Sequence, residues 1–421
     1  MTAAVAVVDP AEFFGADAIQ DPYPLYARLR EDGGVHRVGG SGFYLASSWA
    51  TITEVVSRPD VFSSNMTATM TYTAEGGVVP FAMDGVGGPT HILVTADDPV
   101  HAAHRKLLLG QFTAKRVSDL EPLIAGTFEK LWETGVSDGR IEWMEAVANR
   151  LPMMIVAELI GVPEADADQL AEWGYASTQL LDGLMAGPEL KASMAAIGQL
   201  SNYIVERLRA AAHDPGDNLV GVLARACADG RLKRFTAQLI LVSLFSAGGE
   251  STASLLGTAV TLLATDTALQ QRLREEPHLL GAFIEETLRL EPPFRAHYRH
   301  VLTDTELGGV ALPAGSLVLL LWGAANRDPA HFSEPDAFRL DRPGVKGHLA
   351  FGRGLHFCLG APLARLEAAT VLRLLLDRVR FEAHEVGPWL PSVLARRREY
   401  VHLDVRPAGD QRTAQSSPAA S

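Results

Sequence analysis

Cys358 lies in the run Phe351-Gly-Arg-Gly-Leu-His-Phe-Cys-Leu-Gly-Ala-Pro-Leu-Ala-Arg-Leu-Glu367 and is one of only two cysteines in the chain. Gly352, Gly354 and Gly360 let the backbone turn tightly and approach a flat ligand closely. From Pro362 the text becomes helical, with Leu363, Leu366 and Leu374 interspersed with Arg365 and Glu367. Cys358 therefore precedes a helix N-terminus, where free N–H groups and the dipole favour a thiolate. Three uses are open to such a thiolate: nucleophile, zinc ligand, or axial ligand to haem iron.

Each use needs different company. Zinc needs clustered Cys and His ligands, but no second cysteine lies nearby, and His356 is too close in this loop for ordinary tetrahedral spacing. Nucleophilic catalysis needs a His base and an orienting group, and the local text matches neither cysteine-protease signature. Cys227, in Leu223-Ala-Arg-Ala-Cys-Ala228, reads as a small buried or half-buried helix residue. Axial ligation needs one cysteine, in a loop that shields sulfur and offers backbone N–H donors. The glycine loop supplies that.

The elements that must hold the loop are mostly helical. Asp21–Arg30 reads as a helix opened by a Pro pair, Val35–Val38 and Gly42–Ala46 as a hairpin, and Trp49–Arg58 as a helix stopped by Pro59. Ser63–Ala96, rich in Gly, Met and Thr with no sustained period, reads as a long substrate-facing loop. Leucines recur at helical spacing from Asp98 to about residue 230, and Arg150–Gly161 is apolar enough for a buried helix. The longest apolar segment, Thr236–Ala264, carries Gly248-Gly249-Glu250-Ser251-Thr252 at its centre. It reads as a helix through a large core, not a membrane span. A helix over Leu279–Leu290 stops at Pro292-Pro293, strands follow over 298–301, 306–312 and 316–321, and one or two short strands are expected over 391–405.

Composition narrows the class. The 421 residues are 47% hydrophobic, ample for a sizeable core, and 37 basic against 50 acidic residues give a net charge of −13. That balance argues against nucleic-acid binding. Two cysteines make no disulfide framework, which fits a reducing compartment. The N-terminal MTAAVAVVDPAEFF lacks a basic n-region and a long apolar run, so neither signal peptide nor membrane anchor is expected. The chain is expected to be a cytoplasmic monomer: one domain over residues 11–406, mainly α with small β-sheets, between a flexible N-terminus at 1–10 and a disordered tail at 407–421.

The run Phe351-Gly352-x-Gly354-x-His356-x-Cys358-x-Gly360, continued by Leu363-Ala364-Arg365-x-Glu367, resembles the haem-binding signature of the cytochromes P450. The soluble bacterial, ferredoxin-fed members are nearest in style. Glu286-Thr-Leu-Arg289 is similar to the family's Glu-x-x-Arg helix, where i and i+3 share a face and pair. The resemblance implies that this pair is buried and joined by Arg342 of Phe338-Arg-Leu-Asp-Arg342, the extra partner a buried pair needs. Ala325-Asn-Arg-Asp-Pro329 and His348-Leu-Ala-Phe-Gly352 also resemble family text.

Haem carries two propionates that an apolar pocket must match with donors. The resemblance assigns them to His101 and Arg105 of Asp98-Pro-Val-His-Ala-Ala-His-Arg105, to Arg299 and to His356. Ala247-Gly-Gly-Glu-Ser-Thr252 resembles the family's Ala-Gly-x-acid-Thr motif. It implies that Ala247 and Gly248 admit dioxygen and substrate while Glu250, with Ser251 or Thr252, relays protons. Ser251 stands where threonine is usual and lacks the methyl that fixes the rotamer, which bears on coupling efficiency and not on reaction class. Hydroxyls inside the helix compete for backbone bonds, so a local distortion is expected there.

The implied whole is the P450 fold, with haem b (iron protoporphyrin IX) between the long central helix and the cysteine-loop helix. Cys358 would ligate the iron, with His101, Arg105, Ala247, Gly248, Arg299, Phe351, Gly352, His356 and Gly360 around the cofactor. The implied reaction is monooxygenation of a small apolar organic substrate by O2. Electrons are expected from NAD(P)H through ferredoxin reductase and ferredoxin, because the chain has no flavin or iron–sulfur motif. Arg105, Lys106, Lys115, Arg116, Arg353 and Arg365 would form the basic docking face. The pocket is expected to be lined by the 63–96 loop, Phe245, Ala247, residues 294–297 and residues 390–393, with His297 its unusual polar member. Two rivals stand beside this reading: a peroxide-driven P450, whose kind usually lacks the acid–alcohol pair, and a non-enzymatic haem-thiolate sensor, which has no use for one.

Overall fold

The computed structural model describes residues 5–83, 90–162, 167–185 and 187–408. Arg234–Thr265 forms a single helix of 32 residues, about 48 Å long at 1.5 Å per residue. It is apolar nearly all round because it is packed nearly all round. Helices Leu151–Ile160, Ala167–Gln179, Gly187–Ala211 and Ala361–Arg378 lie against it. By length and composition it is long enough to cross a membrane, but 61% of its most apolar window is buried in this fold. The expected distortion at its centre is absent. Ser246 and Ser251 instead return their hydroxyls to the carbonyls four residues earlier, at 3.0 and 2.7 Å, with the helix unbroken.

Thirteen described strands make four small sheets. They are Ala6–Val8 (β1), Val35–Val38 (β2), Phe43–Ala46 (β3), Phe62–Ser63 (β4), Ala68–Tyr72 (β5), Val78–Ala82 (β6), Arg140–Glu142 (β7), Ala296–Val301 (β8), Thr305–Leu307 (β9), Val310–Leu312 (β10), Leu317–Leu321 (β11), Val379–Val386 (β12) and Val401–Pro407 (β13). The largest has the order β1-β2-β3-β11-β8-β4. Its central strand β11, Leu-Val-Leu-Leu-Leu, is buried at every position, as a strand covered on both faces must be. One face meets Phe13, Tyr26 and Leu29, the other Ile52, Val55 and Trp322.

Three expectations change. Residues 6–8 are not a flexible end: β1 pairs in parallel with β2, and a helix starts at Pro10, capped by the Asp9 carboxylate. Residues 1–4 and 409–421, which include most of the expected tail, lie outside the described residues. The 63–96 stretch is not one continuous loop. β5 and β6 form a hairpin whose Tyr72 ring stacks on Phe14 at 5.2 Å and whose Met70 N–H reaches the Tyr298 hydroxyl at 3.2 Å; residues 84–89 lie outside the described set. Finally, β12 follows the cysteine helix directly and pairs with β13, while 391–400 contributes only isolated bridges.

Candidate active site

Gly352 and Gly354 take φ of 67° and 74°, the left-handed region where a side chain would strain the turn. They fold the loop back so that the Cys358 N–H meets the Phe351 carbonyl at 2.9 Å and the Phe357 N–H meets that of Gly354 at 3.1 Å. Gly360, at φ −82°, needs no such freedom. A Cβ there would touch only Cys358 Sγ, at 3.9 Å, so what this glycine leaves clear is the cavity beside the sulfur. Burial raises the Cys358 thiol pKa, while the N–H groups of Gly360 and Ala361 work to lower it.

Above the loop opens a cavity between the central helix and the cysteine helix. His101, Arg105, Ala247, Gly248, Arg299, Phe351, Gly352, His356, Cys358 and Gly360 all line it. The His101 and His356 rings lie 4.2 Å apart, and Arg105 reaches back to the Phe357 carbonyl at 2.9 Å. Burial holds Arg299 down to about 10, and burial followed by Arg299 and His101 holds His356 down to about 3. These groups share a wall on which, among the described lining residues, Glu367 is the only acid. A flat apolar group bearing two carboxylates fits that wall.

On the opposite side Ala247, Gly248, Ser251, Thr252 and Leu255 face the cavity. Glu250 does not. It is 3% exposed, its Oε1 lies 3.6 Å from Arg397 Nε, the Thr178 side chain bonds to it, and its Oε2 has no protein partner. Burial raises its pKa against the pull of Arg397. Arg397 is braced in turn by Asn149 Oδ1 at 3.1 Å and by the Tyr175 ring at 4.2 Å. Sequence reasoning missed Arg397, Thr178 and Asn149, because Arg397 and Thr178 reach Glu250, and Asn149 reaches Arg397, from distant elements that share no local motif.

The glycine pair also has a second role. A Cβ on Gly249 would come 2.1 Å from Met153 Sδ, and one on Gly248 2.7 Å from Val156 Cγ2. Both glycines therefore seat the Leu151–Ile160 helix. Gly249→Ala is expected to cost about 1–3 kcal/mol by overpacking, read as a lowered thermal midpoint with the cavity-lining residues unaltered.

Behind the cavity Glu286 is fully buried and receives Arg289 Nε and Nη2 at 2.8 Å each, Arg342 Nε at 2.8 Å and the Arg339 N–H at 3.0 Å. Beside it Glu285 is held down to about 2. Burial acts upward and is overcome by His348 at 3.1 Å and Arg365 at 2.6 Å. Of the expected pocket wall, Ala247, Phe294 and His297 line the cavity. Leu93 and Val94 are the only lining residues from the described part of 63–96; Phe245 is fully buried against Gly174, and residues 390–393 contribute nothing.

The family profile described as Cytochrome P450 matches residues 190–395. The chain is 59% identical to Cytochrome P450 144 of Mycobacterium tuberculosis over 399 residues, covering 94% of this chain and 92% of that one. It is 32% identical to the cytochrome P450 monooxygenase PikC of Streptomyces venezuelae over 394 residues, covering 91% and 90%. Among solved structures, that of CYP109E1 from Bacillus megaterium in complex with testosterone superposes with a TM-score of 0.81 at 29% identity, covering 92% of this chain and 98% of that one. With its thiol loop, its cation-lined cavity and relatives of this closeness over nearly its whole length, the chain belongs to the cytochrome P450 family of haem b monooxygenases.

Proposed function

We propose that the chain is a haem-thiolate monooxygenase whose iron is ligated by Cys358 and whose electrons come from NAD(P)H through a ferredoxin reductase and a ferredoxin. The observation that carries the reading is one thiol on the cavity floor, opposite Ala247–Thr252, with His101, Arg105, Arg299 and His356 along one wall. When bound, haem b supplies the iron at which dioxygen is reduced. The chain's own residues do the rest. Gly360 and Ala361 N–H groups favour negative charge on sulfur, the four cationic or imidazole groups take the carboxylates, and the apolar walls exclude water. Ser251 and Thr252 hold protons at Oγ beside the reacting centre, with Glu250 as their supply from outside the cavity. Retention of that acid–alcohol set favours the oxygen-driven reaction over the peroxide-driven one.

The electron donor would dock where Leu109, Leu355 and Phe357 are 47%, 42% and 41% exposed, rimmed by Arg105, Lys106 and Arg353. Lys115, Arg116 and Arg365 are engaged by Asp119, Asp217 and Glu285, so the docking face is smaller than six cations. A cytoplasmic, monomeric single domain over residues 11–406 acting on a small apolar substrate completes the reading. Replacing Ser251 and Thr252 together with alanine is expected to lower product formed per NAD(P)H consumed by at least about tenfold, while NAD(P)H oxidation continues. An unchanged ratio removes the relay from the account.

A further inference from the structure

Along β8, His297 and Arg299 occupy alternate positions and both line the cavity. The indole N–H of Trp322 reaches His297 Nδ1 at 2.7 Å. An indole nitrogen only donates, so Nδ1 must accept. That contact fixes two properties at once. The ring's single proton sits on Nε2, and the imidazolium form is excluded because its Nδ1–H would face another N–H. Trp322 is 2% exposed, and losing this bond would leave its N–H buried without a partner. The Phe294 ring packs edge-on at 5.4 Å and helps hold the imidazole plane. Burial, and then the charge of Arg299, push the ring pKa down to about 4, in the same direction as the geometry.

Nε2 has no hydrogen-bond partner among the described residues, and the ring is open to the cavity. With Nδ1 engaged and Nε2 protonated, His297 has no free lone pair and cannot serve as a base. It carries no charge with which to hold an anion as Arg299 can. It offers one directed, neutral N–H next to the apolar Pro293 and Phe294, with Arg299 the next donor along the strand. A donor without a protein partner penalises any ligand that buries it unpaired.

We propose that His297, locked by Trp322, is a specificity determinant that selects substrates bearing a carbonyl oxygen over counterparts that lack it; the proposal rests on the haem-thiolate reading above. The competing occupant for the same N–H is a haem carboxylate, because Arg299 lies two residues along the strand.

Phenylimidazoles separate these cases, since their nitrogen reports on haem iron spectrally while the phenyl substituent explores the wall. Acetyl and ethyl derivatives at the ortho, meta and para positions are titrated into the holoprotein. The expected result is that at least one acetyl isomer binds roughly three- to tenfold more tightly than its ethyl counterpart, the span of one neutral hydrogen bond. His297→Phe should erase that preference, the ethyl isomer then binding as tightly as its acetyl counterpart, and His297→Gln should restore part of it. Trp322→Phe should weaken it, because the ring proton can then move to Nδ1 and leave Nε2 without a hydrogen to donate. No acetyl preference at any position, or one that survives His297→Phe, overturns the proposal. So does faster haem release to apomyoglobin from His297→Phe with the acetyl preference intact, which would assign the N–H to the haem carboxylate. Failure of any imidazole to shift the haem band would instead bring down the underlying haem reading.

Discussion

Serine in place of Cys358 is expected to leave a folded protein with no measurable monooxygenation. The loop's closing bonds run from the Cys358 N–H to the Phe351 carbonyl and from the Phe357 N–H to the Gly354 carbonyl. Both are backbone bonds that the substitution retains. Hydroxyl and thiol are close in size, so the thermal midpoint should move little. The chemistry should not survive. A thiolate donates electron density to the iron that favours O–O cleavage, and neither a serine hydroxyl nor His356 beside it can replace that donation. Thermal melts and product assays on the same preparation separate the two effects. Product formation at even a tenth of the unmodified rate would contradict the assignment of Cys358.

Alanine in place of Glu286 should instead break the fold. Glu286 accepts from Arg289, Arg342 and the Arg339 backbone, and those two arginines also bind the carbonyls of Asn326, Ser333, Glu334, Pro335 and Ala337. Although burial would raise its pKa, Arg289 and Arg342 hold it below the ordinary carboxylate range. Removing the carboxylate strands two buried guanidiniums, which costs about 3–5 kcal/mol. That is a large share of the roughly 5–15 kcal/mol by which a domain is stable. Arg289→Lys should be nearly as harmful, since an ammonium cannot reproduce the fork that reaches Glu286 and three carbonyls together. The damage should reach the cofactor as well. Asn326, whose carbonyl Arg289 holds, receives the Leu349 N–H at 2.7 Å at the entry to the cysteine loop. Urea unfolding should show a lower midpoint at an unchanged slope, with weaker haem retention. A loss below about 1 kcal/mol would mean that the cluster is not the fold's anchor.

The parts of this architecture that were legible in the sequence are those written in short spacing. The cysteine loop lies within ten residues, and Glu286 and Arg289 sit one helical turn apart, so both could be read locally. The resemblance then supplied Arg342. Glu250 marks the limit. The cavity stripe Ala247, Gly248, Ser251, Thr252 and Leu255 is one helical face, and Glu250 lies a step off it. Its partner Arg397 arrives from a turn near the other end of the chain, which no helix period can announce. The β5–β6 hairpin was hidden by glycines and threonines that fit a loop equally well. β12 was hidden because Val379 follows Arg378 with no Gly or Pro to mark the change of period. The Trp322 contact that fixes the His297 tautomer is likewise a meeting of separate elements.

The most direct test of the central claim is the absorption spectrum of the purified, reduced holoprotein under carbon monoxide. A thiolate from Cys358 predicts the strongly red-shifted band of haem-thiolate ligation, lost on Cys358→Ser. Haem bound with only the unshifted band of a nitrogen-ligated iron would contradict the account.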